Sequence, residues 1–194
     1  LIATEDERFY EHSGIDVKSL FRAIIKTGIM GEENAGGGST LTQQLAKQIY
    51  TEKPATDKAE RLMQKPVEWM IALKLERNYS KDEIIKMYLN RFDFLYNAVG
   101  LKSAAHVYFG KEPSKLNIEE SAMLVGMVKN PSYYNPIRHP ERTRERRNMV
   151  LYKMAQAGYI PSSKAEELKQ LPLGVEYHRP ENHADGVAQY FREE

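Results

Sequence analysis

Two glutamates, Glu5 and Glu68, are the candidate acid–base groups of this sequence. Glu5 opens the acidic and aromatic segment Glu5–Asp16. Such a segment is typical of a catalytic carboxylate beside its orienting groups, although a solvated helical turn accounts for it too. Glu68 follows Lys65 at helical spacing, and for an isolated pair of this kind a surface salt bridge is the simpler interpretation.

The stretch Gly36–Gln48 combines three glycines with a polar helix. Ser39 and Thr40 precede apolar residues at helical spacing, which predicts a helix N-terminus at this point. Free N–H groups at that end would favour an anion, and Lys47 adds a full charge. A linker followed by a polar surface helix explains the same residues. We expect the glycine-rich residues 28–38 to be a flexible loop, poorly ordered without ligand.

The composition is that of an ordinary globular protein, with 194 residues, 41% hydrophobic and 28% charged. A net charge of +1 gives no indication of nucleic-acid binding, so any anion site must be local. The lack of cysteine excludes disulfides and thiolate chemistry. The given sequence has no apolar run that could span a bilayer and no stretch that resembles a signal peptide. The abrupt start at Leu1 is typical of an excised domain, and we expect anchors or partner domains outside it.

Helical periodicity dominates and no strand pattern of any length occurs, which predicts a mainly α fold. Pro66 is expected to kink or restart the helix that contains it. The first expected helix is capped by Asp16, and its apolar face consists of Val17, Leu20, Phe21, Ile24 and Ile25. Two further helices are expected to start at caps, one at the capping box of Ser80 and one at Asn117. The remaining expected helices are Asp57–Tyr79, Leu101–Gly110, Glu141–Ala157, which has Gly158 as its C-cap, and Ser163–Gln170.

Other catalytic classes lack their motifs. The five histidines form no pair spaced for zinc, and for His12 a structural or substrate-orienting role is favoured over metal ligation. There is no Ser/His/Asp elbow, and the glycine stretch lacks the ending of a P-loop. Two carboxylates near a glycine-led Ser/Thr/Gln/Lys helix suggest sugar chemistry beside a phosphate site.

Five segments resemble the motifs of peptidoglycan glycosyltransferases, the family 51 domains of bifunctional penicillin-binding proteins and their monofunctional relatives. In order they are Glu5-Asp6-x-x-Phe9-x-x-His12-x-Gly14-x-Asp16; Gly38-Ser39-Thr40-Leu41-Thr42-Gln43-Gln44-x-x-Lys47; Lys65-x-x-Glu68 with Leu75-Glu76; Tyr88-Leu89-Asn90 with Gly100, Ala104-Ala105 and Tyr108-Phe109-Gly110; and Pro131-Ser132-x-Tyr134-Asn135-Pro136 with Arg147 and Val150-Leu151. The resemblance runs from Leu1 to about Ala157.

The resemblance implies a lysozyme-like, two-lobed helical domain over residues 1–171, with a large lobe and a smaller membrane-facing lobe. Residues 172–194 would be irregular, the start of a linker to a fused transpeptidase domain. The implied reaction polymerises a lipid-linked disaccharide-pentapeptide into glycan strands. The acceptor 4-hydroxyl attacks the donor sugar with inversion, and undecaprenyl pyrophosphate leaves. The implied place is the outer face of the bacterial cell membrane, and Ile29, Met30 and Phe94 are candidates for contact with that membrane.

Roles follow from the resemblance position by position. Glu5 would be the general base, and Glu68 would support the leaving group or a bound cation. The implied substrate-binding residues are Asp6, Phe9, His12, Ser39, Thr40, Gln43, Gln44, Lys47, Lys65 and Asn90. No cofactor is required, although magnesium or manganese could bind at the pyrophosphate. Gln64 stands where family members often have arginine, and Arg61 is the candidate substitute.

Two other functions are compatible with this fold class. A lytic transglycosylase or muramidase would cleave glycan and needs no polyprenyl pyrophosphate site, so the Ser/Thr/Gln/Lys helix argues against it. A non-catalytic module would only bind the cell-wall precursor, and the presence of both Glu5 and Glu68 argues against that.

Overall fold

The computed structural model describes residues 1–30, 38–50 and 58–178. This part of the chain contains no strand beyond an isolated bridge between Asp93 and Val99, which confirms the mainly α prediction. Its α-helices are α1 (Ile2–Glu5), α2 (Val17–Met30), α3 (Leu41–Tyr50), α4 (Lys58–Asn78), α5 (Lys81–Arg91), α6 (Leu101–Phe109), α7 (Ile118–Val128), α8 (Pro140–Gln156) and α9 (Ser162–Lys169). The predicted flexible loop lies mostly outside the described residues.

The predicted helix ends are found at Asp16, Ser80, Asn117 and Gly158. Asp16 caps α2 because its Oδ1 accepts the backbone N–H groups of Lys18 at 3.1 Å and Ser19 at 3.2 Å. At Ser80, the backbone N–H donates to the Glu83 carboxylate at 2.7 Å. Short polar side chains before an apolar periodic run therefore located these ends correctly.

The predicted restart of the helix at Pro66 is not found, while the alternative of a kink at this residue remains a prediction. α4 continues through this proline from Lys58 to Asn78 without a restart. A proline removes a single backbone hydrogen bond from a helix, and α4 packs along α3, so tertiary packing offsets that loss.

The apolar face predicted for α2 is exposed at Val17, Phe21 and Ile25. Val17 is 70% exposed and Phe21 is 64% exposed, so these apolar residues lie on a helix as predicted but are not part of the core. Phe94, predicted to contact a membrane, is fully buried, and its backbone carbonyl accepts the hydroxyl of Tyr108. The side chains of Ile29 and Met30 lie outside the described residues.

The chain divides into two compact units. The first comprises Leu1–Phe92 with Lys153–Ile160, and its core lies where α3 packs on α4 and α5, around Leu41, Leu45, Ala72, Ile84 and Tyr88. The second comprises Asp93–Tyr152 with the residues from Pro161 onward. Its core contains Phe94, Tyr108, Met123, Met127 and Leu151.

The described residues after α9 have no helix or strand. They are held by backbone hydrogen bonds from Glu176 to the Tyr108 carbonyl at 3.0 Å and from His178 to the Val107 carbonyl at 2.8 Å. The predicted domain boundary at residue 171 and the lobe assignment remain predictions. Within the described part of the chain, no helix has the length and apolarity that crossing a bilayer requires.

Candidate active site

The first motif is folded around the carboxylate of Asp6. Glu5 is the last residue of α1, and Asp6 follows as its C-cap. Both oxygens of Asp6 lie within hydrogen-bond distance of His12 Nε2, at 3.1 and 3.0 Å. Oδ2 of Asp6 also accepts the backbone N–H of Leu41 at 3.0 Å. One carboxylate therefore joins the first motif to the start of α3, directly beside Glu5 in the chain.

The ring of His12 is held in one tautomer by its two nitrogens. Nδ1 accepts the backbone N–H of Gly14 at 3.2 Å, so this nitrogen carries no proton. Nε2 is then the protonated nitrogen of the neutral ring and donates to Asp6. Phe9 lies edge-on to this ring and is fully buried. Asp6, Phe9 and His12 thus shape the turn that follows Glu5, as the sequence predicted, while their substrate contacts remain predictions.

The N-terminus of α3 is occupied by protein groups. The Thr40 hydroxyl oxygen accepts the backbone N–H of Gln43 at 3.1 Å, and the Gln43 side chain accepts the backbone N–H of Thr40 at 3.2 Å. The Thr40 hydroxyl donates in turn to the Gly14 carbonyl at 2.7 Å. With Asp6 on the N–H of Leu41, the fold itself occupies two of the N–H groups that were expected to be free for an anion, those of Leu41 and Gln43.

A second charged group lies between α3 and α4. The Lys65 ammonium donates to Glu68 Oε2 at 2.6 Å and to the Ser39 hydroxyl at 3.3 Å. The Glu68 side chain is 3% exposed, whereas that of Lys65 is 27% exposed. The sequence alternative of an exposed surface pair is therefore wrong. The arrangement places a cation, a buried carboxylate and a hydroxyl together.

Glu5 and Ser39 line the same cavity, which has a volume of about 340 Å³. The lining is strongly polar, and its residues are Thr4, Glu5, Asp6, Glu7, Arg8, Asp16, Ser19, Arg22, Ala23, Gly38, Ser39, Thr40 and Lys153. Ser39 connects this cavity to the Lys65–Glu68 pair through its hydroxyl. Glu5 thus shares a cavity with Ser39, and Glu68 is linked to Ser39 through Lys65.

Three cations of the cavity wall, Arg8, Arg22 and Lys153, were not identified from the sequence. Arg22 shares a hydrogen-bonded chain with Ser19 and Asp16, at 3.1 Å from Arg22 to the Ser19 hydroxyl and 2.6 Å from that hydroxyl to Asp16. The helical spacing from the Asp16 cap could have indicated Arg22. For Lys153, which pairs with Glu7 at 3.1 Å, no signal in the sequence connects two positions so far apart.

The remaining predicted residues lie outside the lining of this cavity. Gln44 accepts the hydroxyl of Tyr88 at 2.9 Å, while Lys47 on α3 and Asn90 on α5 are exposed. Burial, with the charge of Glu5 adding to it, raises the pKa of Tyr88 well above its ordinary value. Tyr88 is therefore a neutral donor held near Glu5. The substrate contacts of Gln44, Lys47 and Asn90 remain predictions.

Among the described residues, no group of three His, Asp or Glu side chains is arranged to hold a metal ion. The charges of the site come instead from lysines and arginines beside carboxylates. A cation at a bound pyrophosphate, as the resemblance implies, remains a prediction.

Comparison with known proteins places these motifs in a known family. A family model described as transglycosylase matches residues 1–155. Penicillin-binding protein 1F of Bacillus subtilis (strain 168) is 43% identical over 174 residues, which are 90% of this chain and 24% of that protein. Penicillin-binding protein 1A of Escherichia coli (strain K12) is 39% identical over 180 residues, 93% of this chain and 20% of that protein.

The crystal structure of penicillin-binding protein 1A from Haemophilus influenzae aligns with a TM-score of 0.49 and 28% identity, over 78% of this chain and 19% of that chain. The chain therefore spans no more than a quarter of the length of either of the two curated relatives.

Proposed function

Because the chain belongs to the transglycosylase family, we propose that it is a peptidoglycan glycosyltransferase. It polymerises the lipid-linked disaccharide-pentapeptide into glycan strands. The 4-hydroxyl oxygen of the acceptor forms a bond to the anomeric carbon of the donor, with inversion. The bond between that carbon and the pyrophosphate oxygen breaks, and undecaprenyl pyrophosphate leaves with the electron pair.

The observation that carries the proposal is the shared position of Ser39. Ser39 lines the same cavity as Glu5, and the Ser39 hydroxyl accepts a hydrogen bond from Lys65. Lys65 is in turn paired with Glu68. A base on the cavity wall and a cation hydrogen-bonded to Ser39 match the two needs of the reaction. The attacking hydroxyl must lose a proton, and the leaving pyrophosphate must be neutralised.

Glu5 takes the proton of the acceptor hydroxyl in this proposal. A positioned base contributes roughly a hundredfold or more to such a step. Asp6 and His12 hold the turn that follows Glu5, so the base is placed by the fold and not by the substrate. A single inverting displacement forms no covalent enzyme intermediate, so no activated nucleophile is needed.

Lys65 and Lys47 neutralise the donor pyrophosphate, with Ser39, Thr40, Gln43 and Gln44 around the donor. Glu68 holds the Lys65 ammonium at 2.6 Å, so its contribution to the leaving group passes through that cation. Magnesium or manganese bound to the pyrophosphate would add charge neutralisation at the same end. Because the site already contains lysines, the reaction does not depend on a strong general acid there.

The proposed partners are the lipid-linked precursor, the growing glycan strand and the membrane surface that carries them. The names of the relatives support a fused transpeptidase domain, since both are penicillin-binding proteins of which this chain matches a quarter or less. The proposed location is the outer face of the bacterial cell membrane.

Incubation of the protein with labelled lipid-linked disaccharide-pentapeptide, and separately with finished glycan, tests the function. Elongation of the lipid substrate is expected. Shortening of finished glycan without elongation would instead identify a lytic enzyme. Binding of the precursor with neither reaction would identify a non-catalytic module.

Glu5→Gln tests the base directly. It should abolish polymerisation while precursor binding, measured by fluorescence anisotropy in detergent micelles, stays near the wild-type value. Glu145→Gln, at an exposed position on α8, is the matched control and should polymerise normally. Undiminished polymerisation by Glu5→Gln would exclude Glu5 as the base.

A further inference from the structure

Lys81, at the start of α5, contacts the first motif although none of the five motif segments includes it. Its ammonium donates to the backbone carbonyl of His12 at 2.6 Å and to Glu76 Oε1 at 2.8 Å. It also lies 4.3 Å from the centroid of the Phe9 ring, which is a cation–π distance. The side chain is 21% exposed, so most of it is removed from water.

The partner carboxylate of Lys81 belongs to α4 and connects three helices. Glu76 is 6% exposed, and its Oε1 accepts the Thr42 hydroxyl at 2.6 Å as well as the Lys81 ammonium. Thr42 lies on α3. A buried ion pair is stable when its charges are also hydrogen-bonded, and both members meet that condition here. The pair therefore fixes the start of α5 against α3 and α4 at one point.

His12 links the Lys81–Glu76 pair to the residues around the candidate base, Glu5. Its carbonyl is held by Lys81, and its ring donates to Asp6, which also accepts the N–H of Leu41. Glu5 is covalently attached to Asp6. A shift of the His12 backbone would move the ring, loosen the Asp6 contacts and change the direction of the Glu5 side chain.

We propose that Lys81, paired with Glu76, is a positioning residue that sets the place of Glu5 through His12 and Asp6. Lys81 does not touch the reacting atoms. The catalytic part of this inference rests on the proposed polymerisation, because Glu5 is the base only in that reaction. Misplacement of a reacting group by about 1 Å can cost on the order of a hundredfold in rate.

The test must separate positioning from folding, since Lys81→Met alone leaves the Glu76 charge buried without its cation. The double variant Glu76→Gln/Lys81→Met removes both charges together and keeps an oxygen acceptor for Thr42. We expect it to fold with a Tm close to the wild type, to lose on the order of a hundredfold in kcat, and to keep KM within about threefold. Lys81→Arg should recover much of the rate, because it retains the charge and the donors.

Lys86→Met is the matched control, since Lys86 is an exposed lysine on the same helix. It should leave both kcat and KM unchanged. If the double variant retains wild-type kcat, or loses activity only in proportion to its folded fraction by circular dichroism, the positioning role is overturned. If this double variant does not fold, Glu76→Gln/Lys81→Gln, which also removes both charges, is judged by the same criteria.

A second readout does not depend on polymerisation. Hydrogen exchange of the Leu41 amide and the ring ¹⁵N shifts of His12 report directly on the Asp6 contacts. In the double variant, the Leu41 amide should exchange on the order of tenfold faster and His12 should lose its single tautomer. Unchanged values in a folded variant would overturn the proposal. A wild-type protein that does not polymerise would contradict the proposed function, while these two measurements still decide the role of Lys81.

Discussion

The ammonium of Lys65 lies 2.6 Å from a carboxylate oxygen of Glu68, on the same face of α4 and one turn apart. Because the carboxylate is 3% exposed, its charge depends on this one cation more than a surface pair would. The pair therefore has two separable roles. It balances charge inside the protein, and it presents a cation next to Ser39.

The two roles of Lys65 predict different outcomes for a single and a double variant. Lys65→Met should lower the free energy of unfolding by about 3 kcal/mol or more, because Glu68 is left buried and unpaired. Lys65→Met/Glu68→Gln should recover most of that stability yet remain inactive in polymerisation, because the cation for the pyrophosphate is still absent. Urea denaturation and the polymerisation assay measure the two effects. Lys74→Met, at an exposed position on α4, is the control, and a polymerising double variant would contradict the role of Lys65.

Alanine substitutions at Gly14 and Gly158 are expected to distinguish the cost of a steric clash from the cost of backbone strain alone. The φ of Gly14 is +95°, and a Cβ at this position would lie 3.0 Å from the backbone carbonyl of Ala72 on α4. Gly158 has a φ of +75° with nothing within 4 Å of a Cβ. Gly158→Ala should therefore cost only the backbone strain, about 1 kcal/mol. Gly14→Ala should cost clearly more and should displace the first motif from α4.

Thermal and urea unfolding of the two alanine variants measure this difference. The polymerisation rate provides a further distinction, since only Gly14 lies in the first motif. Gly158→Ala should polymerise at the wild-type rate after correction for folded fraction. Equal destabilisation by the two substitutions would show that the approach of Ala72 is not a constraint.

The sequence predicted most helix ends of this protein because the signals that set them are local. Asp16, Ser80 and Asn117 cap their helices through bonds to residues two or three positions away, which a sequence pattern contains. By contrast, whether α4 continues through Pro66 and whether the apolar residues of α2 are buried depend on tertiary packing. Pro66 is held within α4, while Phe21 on α2 is left exposed. No local pattern distinguishes these cases.

The candidate site likewise has features that the sequence predicted and features that it did not. The residue types of Glu5, Ser39, Lys65 and Glu68 were predicted, and the structure joins three of them by hydrogen bonds. The bond from the Leu41 N–H to Asp6 spans 35 positions, and it occupies the helix end that the sequence assigned to an anion. Long-range hydrogen bonds of this kind are set by the fold as a whole, so no local sequence pattern predicts them.

The exposed apolar side chains of α2 predict a contact with the membrane surface. Val17, Phe21 and Ile25 recur at every fourth residue and therefore share one face. Phe21→Glu should weaken partitioning onto vesicles of anionic phospholipid about tenfold, since transfer of a phenylalanine side chain from water contributes about 1.5–3 kcal/mol. Vesicle co-sedimentation measures it. Tyr133→Glu changes an exposed aromatic residue in the other unit and should leave partitioning unchanged. Equal partitioning of Phe21→Glu and wild type would contradict this contact.

The ionised carboxylate of Asp16 is expected to stabilise the folded state at neutral pH, and this stabilisation is expected to disappear in acid. Burial by itself would raise the pKa of Asp16, but the hydrogen bonds from Ser19 and the nearby charge of Arg8 outweigh it and hold this pKa below its ordinary value. A carboxyl whose pKa is lower in the folded state stabilises the fold above its unfolded pKa, about 3.9 for aspartate. That stabilisation is lost as the pH falls through the folded pKa.

Asp16→Asn keeps a good helix cap but removes the charge. It should lower the free energy of unfolding by about 1 kcal/mol at pH 7, where a charged acceptor is stronger than a neutral one. The difference between variant and wild type should shrink below about pH 4 and vanish once Asp16 is protonated in the folded protein. Urea denaturation at a series of pH values measures this curve. Glu145→Gln, at an exposed position, should show no such dependence, and a constant difference for Asp16→Asn down to pH 2 would mean that the charge of Asp16 does not stabilise the fold.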